Sequence, residues 1–139
     1  MKATQMLHEL GQSLWLDNIT RDMLQNGTLK RYIDELGISG LTSNPTIFDQ
    51  AISKSADYDA GIKQKIAAGK SGEQLFFELA VEDLTQAADL FRPVHDATGG
   101  VDGFVVQRCR IAAGCLLVPL HGGVQPWDSQ CAHVIVRRR

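Results

Sequence analysis

Ser13-Leu14-Trp15-Leu16-Asp17-Asn18-Ile19-Thr20-Arg21 and Gly40-Leu41-Thr42-Ser43-Asn44-Pro45-Thr46-Ile47-Phe48 decide how this chain folds. Each is a short apolar run that stops at a polar side chain and passes straight into a helix signal. A strand is apolar on both faces only when other elements cover both, so such runs predict a parallel sheet. The residue where such a strand stops is where α/β enzymes place their chemistry. Asp17 and Asn44 hold those two positions.

Upstream of the first run, Met6, Leu7 and Leu10 predict a short amphipathic helix within residues 1–12, ending at Gly11. Residues 14–16 make the first strand. Thr20 can cap a short helix carrying Met23 and Leu24, with Asp22 in its first turn, where the helix dipole favours an anion. Gly27 interrupts that helix and Thr28 restarts it. Leu29, Tyr32, Ile33 and Leu36 then recur at helical spacing up to a stop at Gly37. Residues 38–42 read as the second strand. Asn44-Pro45 follows as a helix start, with an asparagine cap and proline at the first helical position. That helix carries Ile47, Phe48, Ala51 and Ile52, and another spans residues 56–68 before Gly69. Ser71 and Gln74 fit a capping box. Behind it Phe77, Val81, Leu84, Ala88 and Phe91 share one helix face, widened by Leu75 and Leu79, and Pro93 ends the helix. Gly99-Gly100 predicts a turn, and Gly103-Phe104-Val105-Val106 a third strand.

The order strand, helices, strand, helices, strand argues for right-handed parallel crossovers, in an open doubly wound sheet or a (β/α)8 barrel. No glycine-rich phosphate loop follows a strand, which disfavours nucleotide binding. A full barrel needs about 250 residues, so three strands would be part of one. The 139 residues suit one domain, and 44% hydrophobic and 22% charged residues with a net charge of −2 describe a soluble globular protein. Nothing resembles a nucleic-acid binder. No run approaches the ~20 apolar residues of a membrane span, and the N-terminus lacks the apolar core of a signal peptide. Residues 1–106 contain no cysteine, which fits a reducing cytoplasm.

These averages hide a break. Up to Val106 there are 15 acidic and 9 basic residues; from Gln107 onward there are one acid, Asp128, and five arginines. Cys109, Cys115 and Cys131 all lie in that last part, with no lysine and no phenylalanine. Periodicity fails there too. Gly122-Gly123, Pro126-Trp127 and Arg137-Arg138-Arg139 read as loop and tail, with a strand at residues 115–119 the one element suggested.

Trp15-Leu16-Asp17-Asn18-Ile19-Thr20-Arg21, Gly40-Leu41-Thr42-Ser43-Asn44-Pro45-Thr46-Ile47-Phe48 and Ala80-Val81-Glu82-Asp83-Leu84 together resemble the opening of a bacterial transaldolase. Arg92-Pro93-Val94 and Gly99-Gly100-Val101-Asp102-Gly103-Phe104-Val105 continue the likeness, which covers residues 10–105. The subgroup is the one with the Trp-Leu-Asp start, sometimes fused to glucose-6-phosphate isomerase. The resemblance implies a (β/α)8 barrel, here incomplete. It also implies transfer of a three-carbon dihydroxyacetone unit between sugar phosphates such as fructose 6-phosphate and sedoheptulose 7-phosphate, in the pentose phosphate pathway. It implies no metal and no organic cofactor. A lysine on a middle strand forms a Schiff base with the ketose, and the imine is the electron sink for carbon–carbon cleavage. Asp17 matches the family's first-strand aspartate, a general acid and base on the substrate hydroxyl. Asn44 matches the second-strand asparagine that hydrogen-bonds the bound ketose, and Thr42 lies beside it in the same motif.

The departures carry equal weight. After Gly103-Phe104-Val105 the family pattern runs on through Ser-Leu-Glu-Val, and its glutamate activates a water; here Val106-Gln107-Arg108-Cys109 follows, without a glutamate. Lys2, Lys30, Lys54, Lys63, Lys65 and Lys70 all fall on expected helices, loops or the terminus, so no Schiff-base lysine is expected in this chain. The break divides the chain into a barrel-like part, residues 1–106, and a frameshifted or disordered tail, residues 107–139. Negligible activity is expected, and the rival reading is a non-enzymatic fragment, functionless or associating with an intact transaldolase. Taken without the resemblance, Asp17 is a loop or cap residue and Asn44 an ordinary helix cap. Trp15, Phe48, Phe76 and Phe77 are packing residues, and His8 and His95 lie on the surface. Cys109, Cys115, His121, Cys131 and His133 match no C-x-x-C zinc spacing, so a tail-dependent metal module is the weakest rival.

Overall fold

The computed structural model describes residues 2–108, 115–118 and 125–126. The chain opens with helix α1 (Ala3–Glu9), strand β1 (Leu14–Asp17) and helices α2 (Arg21–Gln25) and α3 (Thr28–Leu36). Strand β2 (Ile38–Ser43), helix α4 (Pro45–Lys54), a 3-10 turn (Ala56–Tyr58), helix α5 (Asp59–Ala67) and the long helix α6 (Gly72–Ala97) follow. Strand β3 (Phe104–Arg108) pairs with β2 as β2 pairs with β1, both parallel, which gives the three-strand parallel sheet with intervening helices that the alternation predicts.

Local chemistry sets the boundaries. Thr20 Oγ1 accepts from the Met23 N–H and caps α2. Gly37 ends α3 at φ 67°, a left-handed turn that a side chain would resist. Asn44 Oδ1 accepts from the Ile47 N–H at 3.1 Å and caps α4, with Pro45 in the first turn. Two boundary expectations need correction. Ser71 precedes α6 without a side-chain cap bond. Gly72 at φ 54° bends the chain out of helical geometry, so the amide of Gln74 is not presented to the Ser71 hydroxyl. Nor does Pro93 end α6, which runs one turn further to Ala97. The amide that proline lacks would bond the carbonyl of Asp89, and both residues are exposed, so that carbonyl turns to water at small cost. The helix expected over residues 56–68 is split between the 3-10 turn and α5.

The strands' buried residues Leu41 and Val105 meet Leu29 of α3, Phe48 of α4, and Leu84, Ala88 and Phe91 of α6 in one core, with Leu16 packed against it. Each fully buried large side chain there contributes about 1.5–3 kcal/mol through burial of apolar surface. The buried face of α6 is rotated slightly from expectation. Leu79, Ala80, Asp83 and Ala87 are buried, whereas Phe77 and Val81 are half-buried. Phe76 sits edge-on between Phe48 and Phe77, at 6.4 and 6.0 Å. Met6, Leu7 and Leu10 of the N-terminal segment remain exposed. His8 and His95, expected on the surface, are half-buried, and His95 meets the Phe104 ring edge-on at 5.6 Å.

Beyond β3 the sheet changes sense. Strand β4 (Cys115–Val118) falls where residues 115–119 suggest one, but pairs antiparallel to β3, and a short β5 (Gln125–Pro126) pairs antiparallel to β4. Only residues 109–114 separate β3 from β4. A parallel return needs a crossover of a dozen or more residues, so an adjacent strand after so short a link must reverse. The readings placed on Cys109, His121, Gly122-Gly123, Trp127, Cys131, His133 and residues 137–139 lie outside the described residues.

Candidate active site

Parallel pairing brings Asp17 and Asn44 to neighbouring strand ends. Asp17 is the last residue of β1 and is paired in register with Thr42 of β2, and Asn44 follows β2 directly. Because side chains alternate along a strand, the pleat that sends Leu16 and Leu41 into the helical core sends Asp17 and Thr42 to the other face. There Thr42 Oγ1 donates to Asp17 Oδ1 at 2.9 Å. Trp15 and Gly40 lie one step below, paired in register, with the indole flat against the glycine: a Cβ on Gly40 would stand 2.5 Å from Trp15 Cε2. Val106 of β3 pairs with Thr42 on its other side.

Asp17 is exposed and Thr42 and Asn44 are half-buried, so all three are accessible at adjacent strand ends. The cap bond uses only the carbonyl oxygen of Asn44, and its Nδ2 is not part of it. Helix capping and ligand binding are therefore compatible in this one side chain. A carboxylate beside a hydroxyl donor and a carboxamide can take up and return a proton at a hydroxylated substrate while orienting it. None of the six lysines is on a strand. Lys30 and Lys54 lie in α3 and α4, Lys63 and Lys65 in α5, Lys2 just before α1, and Lys70 between α5 and α6. Lys65 bonds Glu82 at 2.6 Å and Glu78 at 3.3 Å, and Lys70 bonds Glu78 at 2.9 Å. The Glu82 bond is the main cause holding the Lys65 ammonium above its usual value, and the Lys70 bond the main cause lowering Glu78.

Behind this corner lies a polar cluster that sequence reasoning missed. Arg21, at the start of α2, donates through Nε to Asp83 Oδ1 at 2.8 Å and through Nη2 to Glu82 Oε2 at 3.2 Å. The Tyr58 hydroxyl donates to Asp83 Oδ2 at 2.7 Å and accepts from the Arg21 backbone N–H at 3.1 Å. Burial pushes the Asp83 carboxyl up, against the Tyr58 hydroxyl and the Arg21 charge that pull it down. Burial, then the Asp83 carboxylate, push the Tyr58 phenol far above its usual value. The signal was present: Asp83 lies three residues after Ala80 and four before Ala87, a charge inside the apolar stripe of α6. A cavity of about 380 Å³ beside the cluster is lined by Asn18, Arg21, Lys54 and Tyr58 among others, but not by Asp17 or Asn44.

Among the described residues no helix is long and apolar enough to cross a membrane. Residues 14–107 match the family model described as Transaldolase/Fructose-6-phosphate aldolase. The chain is 48% identical over 102 residues to a transaldolase of Arthrobacter sp., covering 73% of this chain and 28% of that protein. It is 43% identical over 99 residues to a transaldolase of Trichodesmium erythraeum, covering 71% and 26%. The same identity over 99 residues holds for a protein named transaldolase 2 of Nostoc punctiforme. The chain thus spans just over a quarter of the length of these curated relatives. With the parallel sheet, the polar strand ends and a family match over most of its length, this chain belongs to the transaldolase/fructose-6-phosphate aldolase family.

Proposed function

We propose that the chain carries the first-strand and second-strand corner of a transaldolase-type site within part of a (β/α)8 barrel. The reaction is transfer of a dihydroxyacetone unit between sugar phosphates of the fructose 6-phosphate and sedoheptulose 7-phosphate type, in cytoplasmic carbohydrate metabolism. The observation that carries this reading is the hydrogen bond between Thr42 and Asp17 at adjacent parallel strand ends, with Asn44 two residues after Thr42. Asp17 takes and returns the proton of the substrate hydroxyl. Asn44 holds the ketose through its amide nitrogen, and Thr42 keeps the Asp17 carboxylate in place. The chemistry needs an imine between a lysine amine and the ketose carbonyl, to accept the electron pair released when the carbon–carbon bond breaks.

That lysine is not among the six of this chain, each of which lies on a helix or outside the regular elements. Third-strand position 108, where the family pattern has glutamate, holds arginine. The chain by itself therefore has negligible transaldolase activity, and the composition break after Val106 reflects a frameshift or truncation in the coding sequence. Borohydride reduction in the presence of fructose 6-phosphate tests the first statement: a stable covalent adduct on this chain would refute it. Sequencing the locus tests the second, and a barrel-encoding frame resuming past codon 106 is the expected result.

A second reading, a non-enzymatic fragment that associates with an intact transaldolase, is favoured by the exposed Met6, Leu7 and Leu10. Size-exclusion chromatography with and without a full-length homologue distinguishes it. Co-elution supports association, and independent elution removes it.

A further inference from the structure

Between Asp17 and Arg21 the chain has three residues in which to leave the sheet and enter α2, so Arg21 is the first helical residue after β1. Ile19 is buried in the core and Thr20 caps α2. Arg21 is then fixed from two directions. Its backbone N–H donates to the Tyr58 hydroxyl, and its guanidinium lies 4.5 Å over the Tyr58 ring. Its side chain also bonds Asp83 and Glu82 of α6, and Tyr58 closes the ring by donating to Asp83. Gly61 of α5 borders the cluster: a Cβ there would stand 3.2 Å from Arg21 Nη1.

Holding α2 against α6 does not require these groups, since apolar side chains of similar volume commonly replace a buried ion pair without loss of stability. Directionality is what the polar cluster adds. A hydrogen bond to the Arg21 amide fixes the orientation of that peptide, which packed methyl groups do not. We propose that Arg21, Tyr58 and Asp83 are positioning residues for Asp17, setting the angle at which its carboxylate meets the Thr42 hydroxyl. The role rests on the reading of Asp17 as the proton-handling residue of a sugar site.

The test is NMR on the isotopically labelled full chain at neutral pH, following the Asp17 carboxyl carbon and the amides of Asn18 and Ile19. Tyr58→Phe and Arg21→Lys should each shift the Asp17 carboxyl resonance and both amides. Gly103→Ala, which strains the turn between α6 and β3 against His95 without touching the cluster, should lower the melting temperature and leave those resonances in place. Unchanged Asp17 signals in a folded Tyr58→Phe or Arg21→Lys chain would overturn the proposal. Should neither variant fold, Glu82→Gln removes only the outer, 45% exposed partner. It should give a smaller shift of the same resonances, and none at all would again overturn the proposal. Adding fructose 6-phosphate to the parent chain tests the underlying site separately. No response at Asp17 or Asn44 would discard the sugar reading while leaving the coupling of Tyr58 to Asp17 measured.

Discussion

Replacing Asp83 by leucine removes a carboxylate with 0% exposure and leaves the Arg21 side chain, itself 9% exposed, without its main counter-ion. Two bonds go at once, the 2.8 Å bond from Arg21 Nε and the 2.7 Å bond from the Tyr58 hydroxyl. Breaking a buried pair by removing one partner costs about 3–5 kcal/mol, because the other charge stays desolvated. Arg21 keeps Glu82 at 3.2 Å, which places the expected loss near the lower end, about 3 kcal/mol. A domain of this size has only about 5–15 kcal/mol in total, so the variant should unfold at markedly lower urea concentration. Arg21→Met alone strands Asp83 instead and should cost at least as much. The double variant, Arg21→Met with Asp83→Leu, leaves no buried charge. Its loss should stay near 1–2 kcal/mol, roughly the cost of the Tyr58 hydroxyl donor left without its acceptor. The coupling energy between the two sites should therefore be about 4 kcal/mol. Urea unfolding followed by far-UV circular dichroism, with unchanged m values, measures all three. Single losses that simply add to the double loss, or an Asp83→Leu loss below about 1 kcal/mol, would refute the account of a mutually dependent buried pair.

Gly40→Ala would place a methyl 2.5 Å from the Trp15 ring, which must move at a cost of about 1–3 kcal/mol. An unchanged Trp15 emission spectrum, read in a Trp127→Phe background, would contradict that packing. Gly103→Ala meets two obstacles, a φ of +86° and a Cβ 2.5 Å from the His95 backbone nitrogen; together they should cost about 2–4 kcal/mol in a thermal melt. Tyr58 is held protonated well beyond its usual value of 10.0, first by burial. A folded-state pKa above the unfolded one gives stability that is complete below pH 10.0 and is lost as the pH rises further. In a Tyr32→Phe background, tyrosinate absorbance should thus appear together with alkaline unfolding, and ionisation ahead of the dichroism change would contradict the burial.

The sequence by itself determined the alternation of elements and most of their ends, because those depend on neighbouring residues. Thr20 and Asn44 cap, Gly37 stops a helix, and apolar runs mark the three strands, all through contacts within a few positions in the chain. The same locality misled at Ser71, where the cap depends on the torsion of Gly72, and at Pro93, where solvent absorbs the missing bond. Asp17 and Asn44 were legible as strand-end residues, but placing those ends side by side required parallel pairing of segments 25 residues apart, seen in the Thr42–Asp17 bond. Only the tertiary structure joined Arg21, Tyr58 and Asp83, from three separate elements, because a charge within an apolar helix face announces that it needs a partner without saying which. It also decided the sense of β4, since hydrophobic pattern is identical for a strand read in either direction and the short link alone forces the reversal.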